Sequence, residues 1–246
     1  MEMTATADRD HAAAVLAAAG VGLAGILAGL VVVTVAAALV GAALAEGTPT
    51  RAAVLTVAQY VGVLAVAGLY LADVERPRSF LRLARPTVRD LAWAVGGVVV
   101  LFGTLAAATY LLEQLGLSLT DHAVAESAER DPAVLLPLIP LSVVLTGPVE
   151  ELLYRGVVQT RLQQAFSTAP AVLVAAAIFS LVHVPAYGVG AAGGSLATTL
   201  GVLFVLGALL GALYEHTGNL VVPAVAHGVY NAVTFGVEYL ELTGVL

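Results

Sequence analysis

The chain has 246 residues, of which 60% are hydrophobic and 11% charged, with a net charge of −7 and a mean hydropathy of +0.97, far outside the composition of soluble domains. No polar stretch is long enough to build a second core, so a single all-α integral membrane domain over residues 1–246 is expected. Cysteine is absent and all ten basic residues are arginine, which excludes disulfides and thiol catalysis and gives no nucleic-acid signature.

A membrane-crossing helix needs about 20 apolar residues. Met1 to His11 is acidic, and the apolar run behind it is too long for a signal-peptide core, so it reads as a retained first helix. Uncharged windows at Ala12 to Ala45, Ala52 to Ala72 and Leu91 to Leu112 predict three early helices. Between the second and third, Arg76, Arg78, Arg82, Arg85 and Arg89 hold half of all the arginines. The positive-inside rule puts this loop in the cytoplasm, with the amino terminus on the same side and the acidic loop Glu113 to Asp131 outside. These arginines read as a solvated loop in contact with lipid headgroups.

A fourth helix begins near Ala133 and carries Glu150, Glu151 and Arg155. No Asp, Glu, Lys or Arg then appears between Arg161 and Glu215, enough for two helices divided at Gly188 to Gly194. The last helix starts near Leu220. The expectation is a polytopic bundle of seven transmembrane helices, with an eighth if the long first run or the tail from Glu238 adds a partial piece.

Ionisable groups at membrane depth cost at least a few kcal/mol each, so they face a protected interior and mark function. Glu151 and Arg155, four apart, can pair on one helical face, while Glu150 points about 100° away and has no evident local partner. Phe179 and His183 share a face on the fifth helix, as do His227 and Asn231 on the last. Pro148, Pro185 and Pro223 lie close by and loosen helices where protein or water satisfies the freed carbonyls. A carboxylate, two histidines and an amide converging in the 133–240 region can activate water and stabilise an oxyanion, and so hydrolyse an amide. Tyr154 and Phe179 read as packing residues, and His11, His122 and His216 as solvated terminus or loop residues.

The segments Glu150-Glu151-Leu152-Leu153-Tyr154-Arg155, Phe179-Ser180-Leu181-Val182-His183 and His227-Gly228-Val229-Tyr230-Asn231 resemble the EExxxR, FxxxH and HxxxN motifs of the CPBP intramembrane proteases. This is the family of type II CAAX prenyl endopeptidases and bacteriocin-processing enzymes. The resemblance implies a multi-pass cell-membrane endopeptidase acting on a peptide or lipidated protein substrate. It further implies Glu150 as the base, His183 assisting, His227 and Asn231 stabilising the oxyanion, and Glu151 and Arg155 in support. Glu150, His183 and His227 would also satisfy a divalent metal such as zinc, although the compact HExxH spacing is missing, so metal-dependent and metal-free glutamate mechanisms both stay open. Family members commonly have eight helices, whereas this chain ends fifteen residues after Asn231, so a final helix is expected to be short or missing.

Two other classes fit an intramembrane Glu–His constellation: a transporter or proton relay, and a non-catalytic membrane scaffold. The absence of clear repetition between the halves disfavours the first, and the intact motifs disfavour the second.

Overall fold

The computed structural model describes residues 2–41, 43–188 and 193–246, and every regular element among them is helical. Seven helices make the bundle: α1 (Glu2–Val40), α2 (Pro49–Ala72), α3 (Val88–Gln114), α4 (Pro132–Leu162), α5 (Thr168–Leu181), α6 (Gly193–Thr217) and α7 (Val221–Leu242). Short helical pieces at Pro77–Phe80, Ala125–Arg130 and Val184–Tyr187 sit in the connections.

The ends follow local chemistry. Thr48 caps α2 ahead of Pro49, and Thr87 with Asp90 forms a reciprocal capping box at the start of α3. The Gly-rich divider between α5 and α6 falls partly on residues 189–192, outside the described residues.

Among the described residues five helices are long and apolar enough to cross a membrane: the Asp10–Val40 part of α1, α2, α3, α4 and α6. The expected count of seven is therefore reached in helices but not in helices that qualify by length and composition. α5 has only 14 residues, and α7, with 22 residues, carries His227, Asn231 and Glu238. The long first apolar run is one continuous helix, and the tail from Glu238 simply prolongs α7 to Leu242.

α1 packs along α2, α6 along α5, and α7 against α3 and α4. α4 runs through the centre, where Leu153, Val157, Val158 and Leu162 are fully buried. The outer faces stay apolar, as Leu16, Leu23, Val31 and Leu39 of α1 show. That inversion relative to soluble bundles suits hydrocarbon surroundings, where small residues rather than apolar burial set helix contacts. One such contact joins α4 to α7. A Cβ on Gly147 would lie 2.6 Å from the Gly228 nitrogen, and one on Gly228 would lie 2.7 Å from the Ser142 carbonyl oxygen. Backbone touches backbone there, which brings the residues just after Gly147 against His227.

Candidate active site

α4 is not a uniform helix. Wide π turns at Ser142–Thr146 and Leu152–Gln159 flank the regular turn Gly147–Glu151 that carries both glutamates. Pro140 and Pro148 each remove a backbone donor from this stretch, and wide turns are one way a helix absorbs that loss. The other two prolines behave differently from the expected loosening: Pro223 sits in the first turn of α7 and Pro185 in the short piece Val184–Tyr187, where no intrahelical donor is required.

His183 lies just beyond the last turn of α5 rather than within it. Its Nδ1 donates to the Phe179 carbonyl oxygen at 2.6 Å, satisfying one of the carbonyls that a helix end leaves without a partner. The Nε2 is thereby turned towards Glu150. His227, on α7, donates from Nδ1 to Glu151 Oε1 at 2.8 Å. Carbonyls and ionised carboxylates only accept, so in both rings the Nδ1 carries a proton and the Nε2 is the free position.

Both free positions converge on one atom. Glu150 Oε2 is 3.9 Å from His183 Nε2 and 3.8 Å from His227 Nε2. These separations exceed direct hydrogen bonds and match groups that share a small polar molecule. Asn231, one turn beyond His227, is half-buried, and among the described residues its side chain makes no hydrogen bond.

The other carboxylate oxygen of Glu150 is engaged. Tyr60 of α2 donates its hydroxyl to Glu150 Oε1 at 2.6 Å. Tyr60 was missing from the sequence-based constellation, and with it the partner that Glu150 lacked locally. The signal was Gln59-Tyr60, a polar pair near the middle of a largely apolar helix.

Glu151 and Arg155, both fully buried, form the expected pair at 2.8 Å. Arg155 also donates to the Gly207 carbonyl at 2.8 Å and lies over the Phe179 ring at 4.6 Å. One turn further on, Gln159 donates to the Gly211 carbonyl at 3.2 Å and to Glu215 at 2.8 Å. Polar residues of α4 thus meet successive turns of α6. Glu215 in turn accepts from Arg82 at 2.9 Å, and Arg82 also donates to Gln163 and covers the Tyr214 ring at 4.7 Å. Arg82 is therefore not a solvated loop residue. Its backbone sits at φ 48, a left-handed conformation that costs a non-glycine residue about 1 kcal/mol or more and persists only when surrounding contacts hold it.

Of the three histidines expected to be solvated, His216 is exposed, whereas His11 and His122 are partly buried by packing. His11 stacks on Phe166 at 4.5 Å and its Nε2 reaches the Ala165 carbonyl at 3.0 Å. His216 meets Trp93 edge-on at 4.3 Å. His122, in the loop between α3 and α4, accepts at Nδ1 from the Val124 amide at 3.1 Å and meets Tyr187 edge-on at 5.0 Å. Termini and loops fold back onto helix ends here, which polarity alone does not reveal. Burial, and secondarily the neighbouring His183, hold the His122 imidazole down at about 4, against a weaker opposing pull from Glu150. Because the unfolded chain binds this proton first, stability is expected to fall as pH drops from about 6.5 towards 4. Thermal unfolding in detergent measures it, and His122→Gln is expected to flatten the dependence across that window.

Among the described residues no three His, Asp or Glu side chains are disposed to hold a metal ion. The zinc-ligand reading of Glu150, His183 and His227 thus finds no support in the donor geometry, and Tyr60 already occupies one Glu150 oxygen.

No curated protein and no solved structure shows significant similarity to the chain. Residues 132–233 match the family described as "Rce1-like: Type II CAAX prenyl endopeptidase Rce1-like". The match spans α4 to the middle of α7 and takes in Glu150, Glu151, Arg155, His183, His227 and Asn231. This segment is similar to the Rce1-like family, in keeping with the resemblance of its three motifs.

Proposed function

We propose that the protein is an intramembrane endopeptidase that cleaves peptide bonds in membrane-associated substrates, including prenylated CAAX-type peptides. The observation that carries this reading is the convergence of His183 Nε2 and His227 Nε2, at 3.9 and 3.8 Å, on Glu150 Oε2. Glu150 Oε2 takes a proton from water, and the water oxygen attacks the scissile carbonyl carbon. His183 helps to hold that water. Asn231 donates to the oxyanion without titrating, while His227 donates there only with a proton on Nε2, its Nδ1 proton being committed to Glu151. Glu150 then returns the proton to the leaving amine as the carbon–nitrogen bond breaks. Glu151 and Arg155 position His227. No step of this scheme is routed through a metal.

The chain reads as one integral membrane domain, with 133–240 its catalytic region, α5 and α7 completing seven crossings, and the amino terminus cytoplasmic. Purified protein in detergent is expected to cleave a farnesylated reporter peptide with and without chelator. Failure to cleave either farnesylated or unmodified peptide would overturn the assignment, and Glu150-dependent proton uptake without cleavage would point to a relay.

Tyr60 fixes the spectator oxygen of Glu150. Tyr60→Phe removes that bond while keeping the ring, so kcat is expected to fall about ten-fold, as for one lost hydrogen bond to a charged group, with KM nearly unchanged. Steady-state kinetics on the reporter peptide separate the two. A change confined to KM would assign Tyr60 to substrate binding instead.

A further inference from the structure

A second feature lies away from Glu150. Between α3 and α6 runs a groove of about 290 Å³ lined by Gly96, Gly97, Val100, Leu209 and Leu213, with Trp93 and His216 at one end. Two glycines shape it differently. A Cβ on Gly97 would collide with Leu213 at 2.7 Å and press on Ala226 at 3.2 Å, so Gly97 forms a packed floor beside α7. A Cβ on Gly96 would meet nothing within 4 Å, so Gly96 opens onto the groove itself.

Trp93 and His216 mark the polar end. Arg89 precedes Trp93 by four residues on α3, which places it on the same face and about 6 Å further along the axis. Arg85 and Arg89 are exposed, and neither takes part in an ion pair among the described residues, unlike Arg82. An apolar channel topped by an aromatic pair and then by unpaired cations reproduces, in order, the acyl, interfacial and phosphate levels of a lipid.

We propose that this groove binds one anionic phospholipid, its acyl chain lying past Gly96 and Val100 and its phosphate paired with Arg89 and Arg85. The site is independent of the peptidase reading and shares no residue with it.

The chain's single tryptophan, Trp93, stands in the groove and reports on it directly. Full-length protein is reconstituted into phosphatidylcholine–phosphatidylglycerol vesicles in which either lipid, at equal mole fraction, carries brominated chains that quench indole fluorescence. Brominated phosphatidylglycerol is expected to occupy the groove with about five-fold preference per arginine contact over phosphatidylcholine, and so to quench more strongly. Arg85→Gln combined with Arg89→Gln is expected to abolish that excess, and Arg89→Lys alone to retain most of it. Gly96→Leu, which fills open space without a backbone clash, is expected to abolish the excess with both arginines intact. Equal quenching by the two lipids in the wild-type protein overturns the proposal. So does an excess that survives either the double arginine substitution or Gly96→Leu. Since no step reads cleavage, a negative result here leaves the peptidase assignment standing, and the converse also holds.

Discussion

Replacing Glu150 with glutamine is expected to lower the rate of peptide cleavage by about 10² to 10⁴, equivalent to about 3 to 5 kcal/mol of barrier. The amide is nearly isosteric, and its oxygen can still accept from Tyr60 in place of Oε1. What it cannot do is take a proton from water between the two Nε2 atoms that flank Oε2. Cleavage of a reporter peptide under single-turnover conditions isolates this step from product release. A parallel melting curve should show little change, because the substitution leaves the buried Glu151–Arg155 pair untouched. Activity within ten-fold of wild type would move the base elsewhere and leave the Glu150 cluster a structural device.

Arg155→Ala is expected to destabilise the fold by about 3 to 5 kcal/mol, since it strands a buried carboxylate without its cation. Glu151 is fully buried and its Oε2 already lacks a hydrogen-bond partner, so little is available to compensate. The Gly207 carbonyl loses its donor in the same substitution. Replacing the pair together, as Glu151→Leu with Arg155→Met, removes both charges and is expected to recover much of the lost stability. It should not recover cleavage, because His227 Nδ1 loses the acceptor that orients it. Denaturant unfolding in detergent and peptide cleavage, measured on the same three variants, separate the two contributions. A double variant that is stable and fully active would show that Glu151 has no part in placing His227.

The membrane class, the all-helical fold and the pairing of Glu151 with Arg155 were legible in the sequence because each is local: apolar runs, helical periodicity, a spacing of four. The meeting of Glu150, His183 and His227 was legible only as an expectation, resting on motif order. Its geometric cause is tertiary, the glycine contact between α4 and α7 and the off-helix position of His183. Tyr60 reaches Glu150 across 90 residues of sequence, and the polar pair Gln59-Tyr60 marks a position on α2 without marking its partner. Arg82 looked like its loop neighbours because composition does not say which of five arginines folds back onto Glu215. The seven helices were legible as uncharged stretches, but their lengths were not: α5 ends after 14 residues, just before His183.

The rungs from Arg155 and Gln159 to the Gly207 and Gly211 carbonyls recur once per helical turn. Sliding or rolling α4 against α6 would have to break both at once, together with the Gln159–Glu215 bond, so the two helices move as one stiff plank. On the opposite flank, α2 meets Glu150 through a single phenolic hydrogen bond within the buried apolar cluster that also holds Val63 and Ala67. A substitution at either rung is therefore expected to loosen the whole α4–α6 seam rather than one turn of it.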